Sequence, residues 1–297
     1  MKNVREFLLQ YSFFQKRFDF QIHEIQNYGR SSKVKVTFHD ETYLVLIKKS
    51  RIIKYISRLN ILEDDYRKLI EFRYLSQDGN VLVLNYYGGI GGHDLTYFQS
   101  NDFVDSPKRC AQRLYECICR LHATSCNYID FDSKGANWYE YVRNLLIESL
   151  DHALAFQAIT KNQKQMVLDI IDQNQDYFLN VSTCYIHGDL TIVNVCYHPN
   201  KDLFYLIDYD DFIIGDPFYD FSRLMNFSEN SEILKEFKNL YFPNIEKNII
   251  HLIYTLRVTL NWYCFILRKQ LDYELPVLEI SNLLNQLNLM NEKNKLS

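Results

Sequence analysis

Glycine and proline are scarce: the 297 residues contain 9 Gly and 5 Pro. That excludes collagen-like chains, Gly-rich linkers and glycine-built repeat arrays. It also makes each glycine informative, because a chain that rarely uses glycine places it where backbone geometry requires it. No strong charge of one sign is present. The net charge is −4 and the pI about 6.1, which excludes a general electrostatic drive toward nucleic acid or an anionic membrane. The local basic run of Lys48, Lys49, Arg51 and Lys54 is the exception. The 7 cysteines are odd in number, scattered and without a CxxC pair. Zinc ribbons and disulfide scaffolds are excluded, and a cytoplasmic location is expected. The N-terminal MKNVREFLLQ lacks the apolar run of a signal peptide. The most apolar stretch, HLIYTLRVTLNWYCFIL, carries Arg257 and Asn261, so a buried helix is expected there rather than a membrane span.

Hydrophobic residues make up 47% of the chain and charged residues 24%. That is a globular composition, long enough for one or two domains with a sizeable core. Aromatics are abundant, with 23 Tyr and 20 Phe. Residues 1–20 predict a short helix ending near Phe18. Gln21 onward predicts three strands, with alternation at Val34 and Val36, a turn at His39–Asp40–Glu41, and a strand from Tyr43 to Ile47. Residues 52–77 predict a helix with Ile56, Leu59, Leu62, Tyr66, Leu69 and Ile70 on one face. Asp78–Gly79–Asn80 signals a turn into the strand VLVLNYY. The cluster Gly88, Gly89, Gly91 and Gly92 marks the best domain boundary. Helices are expected over 106–124 and 138–180, a small β section over 183–208, and helices from 217 onward. The pattern is a small mixed lobe, a hinge and a larger helical lobe.

The chemistry concentrates in residues 185–224, YIHGDLTIVNVCYHPNKDLFYLIDYDDFIIGDPFYDFSRL. His187–Gly188–Asp189 is followed five residues on by Asn194. A strand Ile192–Tyr197, a turn through Pro199–Asp202 and a strand Leu203–Ile207 suggest a hairpin ending at Asp208. Paired numbers summing to about 402 would set Asn194 opposite Asp208. An amide oxygen and a carboxylate are hard donors of the kind Mg²⁺ prefers. Asp189, in the loop before them, can accept a proton from a hydroxyl nucleophile. Together these are the parts of a phosphoryl-transfer site.

HGDLTIVN resembles the H-G-D-x-x-x-x-N catalytic loop of the aminoglycoside phosphotransferase and choline kinase superfamily. LIDYDDFIIGDPFYDFSRL resembles that family's metal-site segment. Arg120–Leu121–His122–Ala123 is similar to the end of the family's helix after the hinge, and Gly29–Arg30–Ser31–Ser32 to its nucleotide loop. The resemblance implies a bilobal α+β protein-kinase-like fold. Its small antiparallel-sheet lobe would span 1–87, its hinge about 84–92 and its helical catalytic lobe 88–297. It implies ATP or GTP as co-substrate with Mg²⁺, and a small hydroxyl-bearing acceptor. Asp189 would be the catalytic base, His187 a holder of the loop, and Asn194 and Asp208 the metal ligands. Asp216 and Pro217 fit a helix start, Asp as N-cap and Pro at the first helical position. Asp216 and Asp220 therefore have structural roles, and Asp210 is a loop acid or a second-metal residue.

A kinase-like fold needs a Lys on its third strand for the phosphates and a helix acid to hold it. Lys48 is the choice, with Lys49 as the register-slip alternative, and Glu63 the favoured acid. Ser31 and Ser32 would line the nucleotide loop, and Asn85 and Tyr86 the linker to the nucleobase. Asp94, in a near-copy of the catalytic loop, is expected to cap a helix. The acceptor stays open between three classes. A polycationic aminoglycoside would use acids such as Glu148, Asp151, Asp272, Glu274 and Glu279. Choline or an amino alcohol would use aromatics of Asn137–Trp138–Tyr139 and Asn261–Trp262–Tyr263. A sugar hydroxyl is the third. Thr191 stands where His is frequent in the family, and Ile192–Val193 replaces a common Pro–Gly, which departs from typical antibiotic-resistance members. The alternative reading is a catalytically inactive kinase-like binding module. A monomer or homodimer is expected, with no nucleic-acid or membrane partner.

Overall fold

The computed structural model describes residues 2–17, 19–28, 31–39, 41–48, 72–78, 80–85, 106–123, 134–198, 203–206, 211–226, 231–269 and 274–296. The chain divides into two compact units: 1–104 with 193–212, and 105–192 with 213–297.

The first unit opens with α1 (Lys2–Leu8) and α2 (Ser12–Gln15). Five strands follow: β1 (Gln21–Tyr28), β2 (Ser31–Phe38), β3 (Glu41–Lys48), β4 (Phe72–Leu75) and β5 (Val81–Asn85). They form one antiparallel sheet in the order β1-β2-β3-β5-β4. Alternation decides the faces. Val34, Val45 and Val83 lie side by side across three strands. With Val36, Tyr43 and Val81 they bury one face against Leu8, Phe13, Phe14 and Phe20. The β2–β3 hairpin closes between Phe38 and Glu41, with His39 at φ 52°, as strand twist demands of a two-residue turn.

Two expectations need correction. The N-terminal helix is two short helices. Of the helix expected over 52–77, residues 52–71 lie outside the described residues, and Phe72–Leu75 is strand β4, paired with β5. The β5 ladder supplies hydrogen bonds that a local helical pattern does not register.

The second unit holds the helices α3 (Pro107–His122), α4 (Trp138–Ala155), α5 (Lys161–Gln173) and α6 (Gln175–Asn180). Then come α7 (Pro217–Met225), α8 (Glu232–Tyr241), α9 (Ile249–Lys269) and α10 (Glu274–Leu296). Side-chain caps start many of them. Ser106, Asn137 and Ser231 each accept a backbone N–H, and Thr160 with Gln163 forms a capping box. Strand β6 (Cys184–Ile186) pairs with a later strand of Ile213–Gly215 that sequence periodicity did not suggest. The hairpin β7 (Val195–His198) and β8 (Leu203–Leu206) between them belongs to the first unit; the strand of Ile213–Gly215 is β9.

The core of the second unit packs α4, α5, α9 and α10 around Leu146, Ile170, Tyr254, Leu260 and Leu284. Helix α9 is long and apolar enough to cross a membrane, but 72% of its apolar window is buried inside the protein. The aromatic excess is largely core. Tyr115 stacks on Tyr241 at 3.8 Å between centroids, beside Phe221, Phe237 and Phe242.

Candidate active site

The segment Ile186 to Leu190 leaves β6 as a tight loop. Gly188 takes φ 76°, in the left-handed region where a side chain is disfavoured. This turn aims two successive backbone N–H groups at one carboxylate. Asp220, in the first turn of α7, accepts from His187 N at 2.7 Å and from Gly188 N at 2.9 Å. Its Oδ2 also meets His122 Nε2 at 3.0 Å. Asp220 is fully buried, so a charged acceptor needs such donors to be tolerated there. His187 is buried, and its Nδ1 accepts from Asp189 N at 3.3 Å. The Asp189 carboxylate is paired with the Arg223 guanidinium. Asp189 is half-buried, so the loop presents a partly accessible carboxylate beside a fixed cation.

Asp216 was expected as a helix N-cap, and it is. Its Oδ1 accepts from Phe218 N at 2.8 Å, with Pro217 at the first helical position. Its Oδ2 accepts from Tyr177 Oη at 2.8 Å and Tyr254 Oη at 2.7 Å. Tyr254 in turn accepts from Trp138 Nε1 at 2.8 Å. Burial raises the Asp216 carboxyl above the ordinary range, opposed by its hydrogen bonds to Tyr254, Phe218 and Tyr177. Burial also raises the Tyr254 hydroxyl. Gly215 passes under this network: a Cβ there would lie 2.5 Å from Trp138 Cζ3. The Asp216 network ties α7 to α6, α4 and α9.

In the first unit, Asn194 closes a 3₁₀ turn (Ile192–Asn194) and is buried. The β7–β8 ladder pairs Val195 with Leu206 and Tyr197 with Phe204. The register is therefore one residue tighter than the expected hairpin, and ends before Asn194. Asp208 and Asp210 lie outside the described residues. The amide oxygen of Asn194 and the carboxylate type of Asp208 remain hard donors that suit Mg²⁺. Ser31 sits opposite Lys48 across β2 and β3, and Ser32 opposite Ile47. Lys48 is the last residue of β3. Asn85 ends β5 opposite Tyr43. It is thus five residues along β3 from Lys48, roughly 17 Å at ~3.4 Å per residue. Gly29, Lys49, Glu63, Tyr86, the four clustered glycines and Asp94 lie outside the described residues.

The acceptor candidates fare unequally. Trp138 and Tyr263 are buried core residues. Glu148 pairs with Lys134, and Asp151 with Lys164; Asp272 lies outside the described residues. Sequence reasoning missed Arg223, Tyr177 and Tyr254. Nothing in the sequence pairs Arg223 with Asp189, although Arg223 lies three residues after Asp220 on one helix face.

Comparison with known proteins bears on the family and the fold. A model of the phosphotransferase enzyme family matches residues 68–247. Comparison with curated protein sequences returns no match. Among solved structures, the choline kinase LicA from Streptococcus pneumoniae is similar at 15% identity. The match covers 97% of this chain and 98% of that one, with TM-score 0.61. A choline/ethanolamine kinase family protein from Mesorhizobium loti is similar at 12% identity, 97% and 99% coverage and TM-score 0.61. A thermostable mutant of aminoglycoside phosphotransferase APH(4)-Ia, in a ternary complex with AMP-PNP and hygromycin B, is similar at 11% identity. There 97% of each chain is covered, with TM-score 0.60. The fold is that of these kinase-like proteins: an antiparallel N-terminal sheet followed by a helical C-terminal part.

Proposed function

Because the chain belongs to the phosphotransferase enzyme family, we propose that it transfers the γ-phosphoryl group of ATP or GTP to a hydroxyl of a small acceptor. The observation that carries this reading is the loop built around Asp189. Asp220 holds its backbone at two N–H groups, and Arg223 holds its carboxylate. A loop held this firmly keeps one carboxylate in place for an incoming hydroxyl, which is the positioning that phosphoryl transfer depends on. The acceptor oxygen bonds to the γ-phosphorus as the bond to the β,γ-bridging oxygen breaks. The hydroxyl proton passes to Asp189 and the nucleoside diphosphate leaves.

Asn194 and Asp208 would hold Mg²⁺, which when bound neutralises charge on the phosphate oxygens. Lys48, with Glu63 as its helix acid, would hold the phosphates. Ser31, Ser32, Asn85 and Tyr86 would meet the nucleotide. The complex of the similar APH(4)-Ia with AMP-PNP and hygromycin B supports a nucleotide and a small acceptor as the two substrates. A cytoplasmic location, where nucleotide and Mg²⁺ are plentiful, belongs to the same reading. The test is nucleoside diphosphate release by the purified protein with Mg-ATP or Mg-GTP against an acceptor panel. Turnover absent from Asp189→Asn is expected. Failure to bind Mg-nucleotide, with no release above that control, leaves the inactive binding module as the answer.

A further inference from the structure

Within the helical unit, a cavity of about 310 Å³ opens at the C-terminal end of α7. Asn226, the helix C-cap, forms part of its wall, three residues after the Arg223 that holds Asp189. Residues three apart share a helix face, so the cavity begins one turn from the guanidinium on the catalytic carboxylate. Across from Asn226, α9 contributes His251 and Thr255, four residues apart and 7% and 5% exposed.

These three residues share an uncommon property. Asn226 Nδ2, His251 Nδ1 and Thr255 Oγ1 are buried and have no hydrogen-bond partner. Native proteins pair nearly all buried polar atoms. Three unpaired ones around one cavity mark the place of a partner that is not part of the chain.

The chemistry of that partner follows from what the wall offers. Burial lowers His251 from 6.5 to about 4, so at neutral pH it is an uncharged ring with one N–H and one lone pair. A Thr hydroxyl both donates and accepts, and an Asn amide does the same. A hydroxyl group, which also does both, matches all three. An ammonium group only donates and leaves the Asn226 N–H₂ unpaired. A quaternary ammonium is held by aromatic faces, and among the described residues no Phe, Tyr or Trp lines the cavity. A polycation needs several carboxylates. Among the described residues the carboxylates that line it are Glu279 and Glu246, the latter paired with Lys238. The volume falls at the low end of the ~300–1,000 Å³ typical of ligand sites, suiting one ring rather than several.

We propose that this cavity is the acceptor pocket and takes a neutral, hydroxyl-rich molecule of monosaccharide size, a sugar or polyol. The inference rests on the phosphotransferase reading above. A hydroxyl of that molecule is the oxygen that bonds to the γ-phosphorus, its proton passing to Asp189 as the nucleoside diphosphate departs.

The experiment measures diphosphate release by the full chain with Mg-ATP and Mg-GTP. The acceptors are free aldoses, ketoses and alditols, choline and ethanolamine, and kanamycin and hygromycin B, with Asp189→Asn as control. Binding of a fluorescent Mg-nucleotide is read separately. Release above control is expected with at least one sugar or alditol. Thr255→Val should raise KM for it about tenfold with kcat within about twofold, the scale of one lost hydrogen bond. Thr255→Ser, which keeps the hydroxyl, should restore KM, and melting curves confirm that both variants fold. Turnover only with choline, ethanolamine or an aminoglycoside overturns the proposal. So does a sugar KM that ignores Thr255→Val and His251→Phe, or nucleotide binding with no turnover of any sugar or alditol. If Mg-nucleotide does not bind at all, the phosphotransferase reading itself fails, which is a distinguishable result.

Discussion

Asp216 and Asp220 stand four residues apart at the start of α7, both sealed from solvent. Each accepts from three donors, yet they hold different parts of the molecule. Asp216 gathers the first turn of α7, Tyr177 of α6 and Tyr254 of α9. Asp220 gathers the backbone of the His187–Asp189 loop and His122 at the end of α3. Burial alone therefore does not show what a sealed acid holds together. The donors do: one set belongs to packed helices, the other to the loop that presents Asp189.

The largest expected effect is at Asp220. Asp220→Ala leaves two backbone N–H groups and His122 without their acceptor, and the Asp189 loop loses its anchor. Diphosphate release should fall at least ~1,000-fold, about 4 kcal/mol at the transition state. Amide exchange at His187 and Gly188 should rise in parallel, and the milder Asp220→Asn serves if the Ala variant does not fold. Unchanged turnover would erase the distinction between the two acids.

Asp216→Ala should behave oppositely. Losing the N-cap and leaving two buried Tyr hydroxyls unpaired should cost about 3 kcal/mol of folding stability in urea titrations. Turnover of the protein that remains folded should stay within ~5-fold.

A pH test follows from the neighbourhood of Asp216, where His251 lies near Phe218 at 6.5 Å between ring centroids. His251 is lowered from 6.5 to about 4, chiefly by burial. A depressed folded value means that the unfolded chain binds the extra proton first. Stability from this group is therefore complete above pH 6.5 and lost as pH falls toward 4. The Asp216 carboxyl, raised by burial, opposes this, since it favours the folded state as pH falls. In an Asp216→Asn background, His251 should cost up to about 3 kcal/mol between pH 7 and 4. Adding His251→Gln should flatten that profile, with Glu246 and Lys238 facing the ring in both proteins.

The smallest effect is expected at Tyr177→Phe. It removes one of the three donors to Asp216 and should lower stability by about 1 kcal/mol without altering turnover.

Much of this was legible in the chain itself. The motif spacing from His187 to Asn194, the Asp216–Pro217 helix start and the β2–β3 hairpin are local, and local pattern carries them. The helix expected over 52–77 went astray at Phe72–Leu75 because a strand at a sheet edge is defined by its neighbour, β5. The hairpin register came out one residue different because a turn of unknown type sets it. Strand β9 went unseen because three residues show no period and exist only by pairing with β6.

Local motifs in the primary structure thus pointed to the phosphotransferase family. A loop Asp, an Asn five residues on and a capped helix behind them are short-range features, readable at the scale of one turn or one hairpin. Folding alone brought Arg223 to Asp189 across 34 residues and His122 to Asp220 across 98. Folding alone also set Asn226, His251 and Thr255 around one cavity with their polar atoms unpaired. Such contacts arise from the packing of whole helices, and helix packing is decided by the combined fit of many side chains rather than by any one segment.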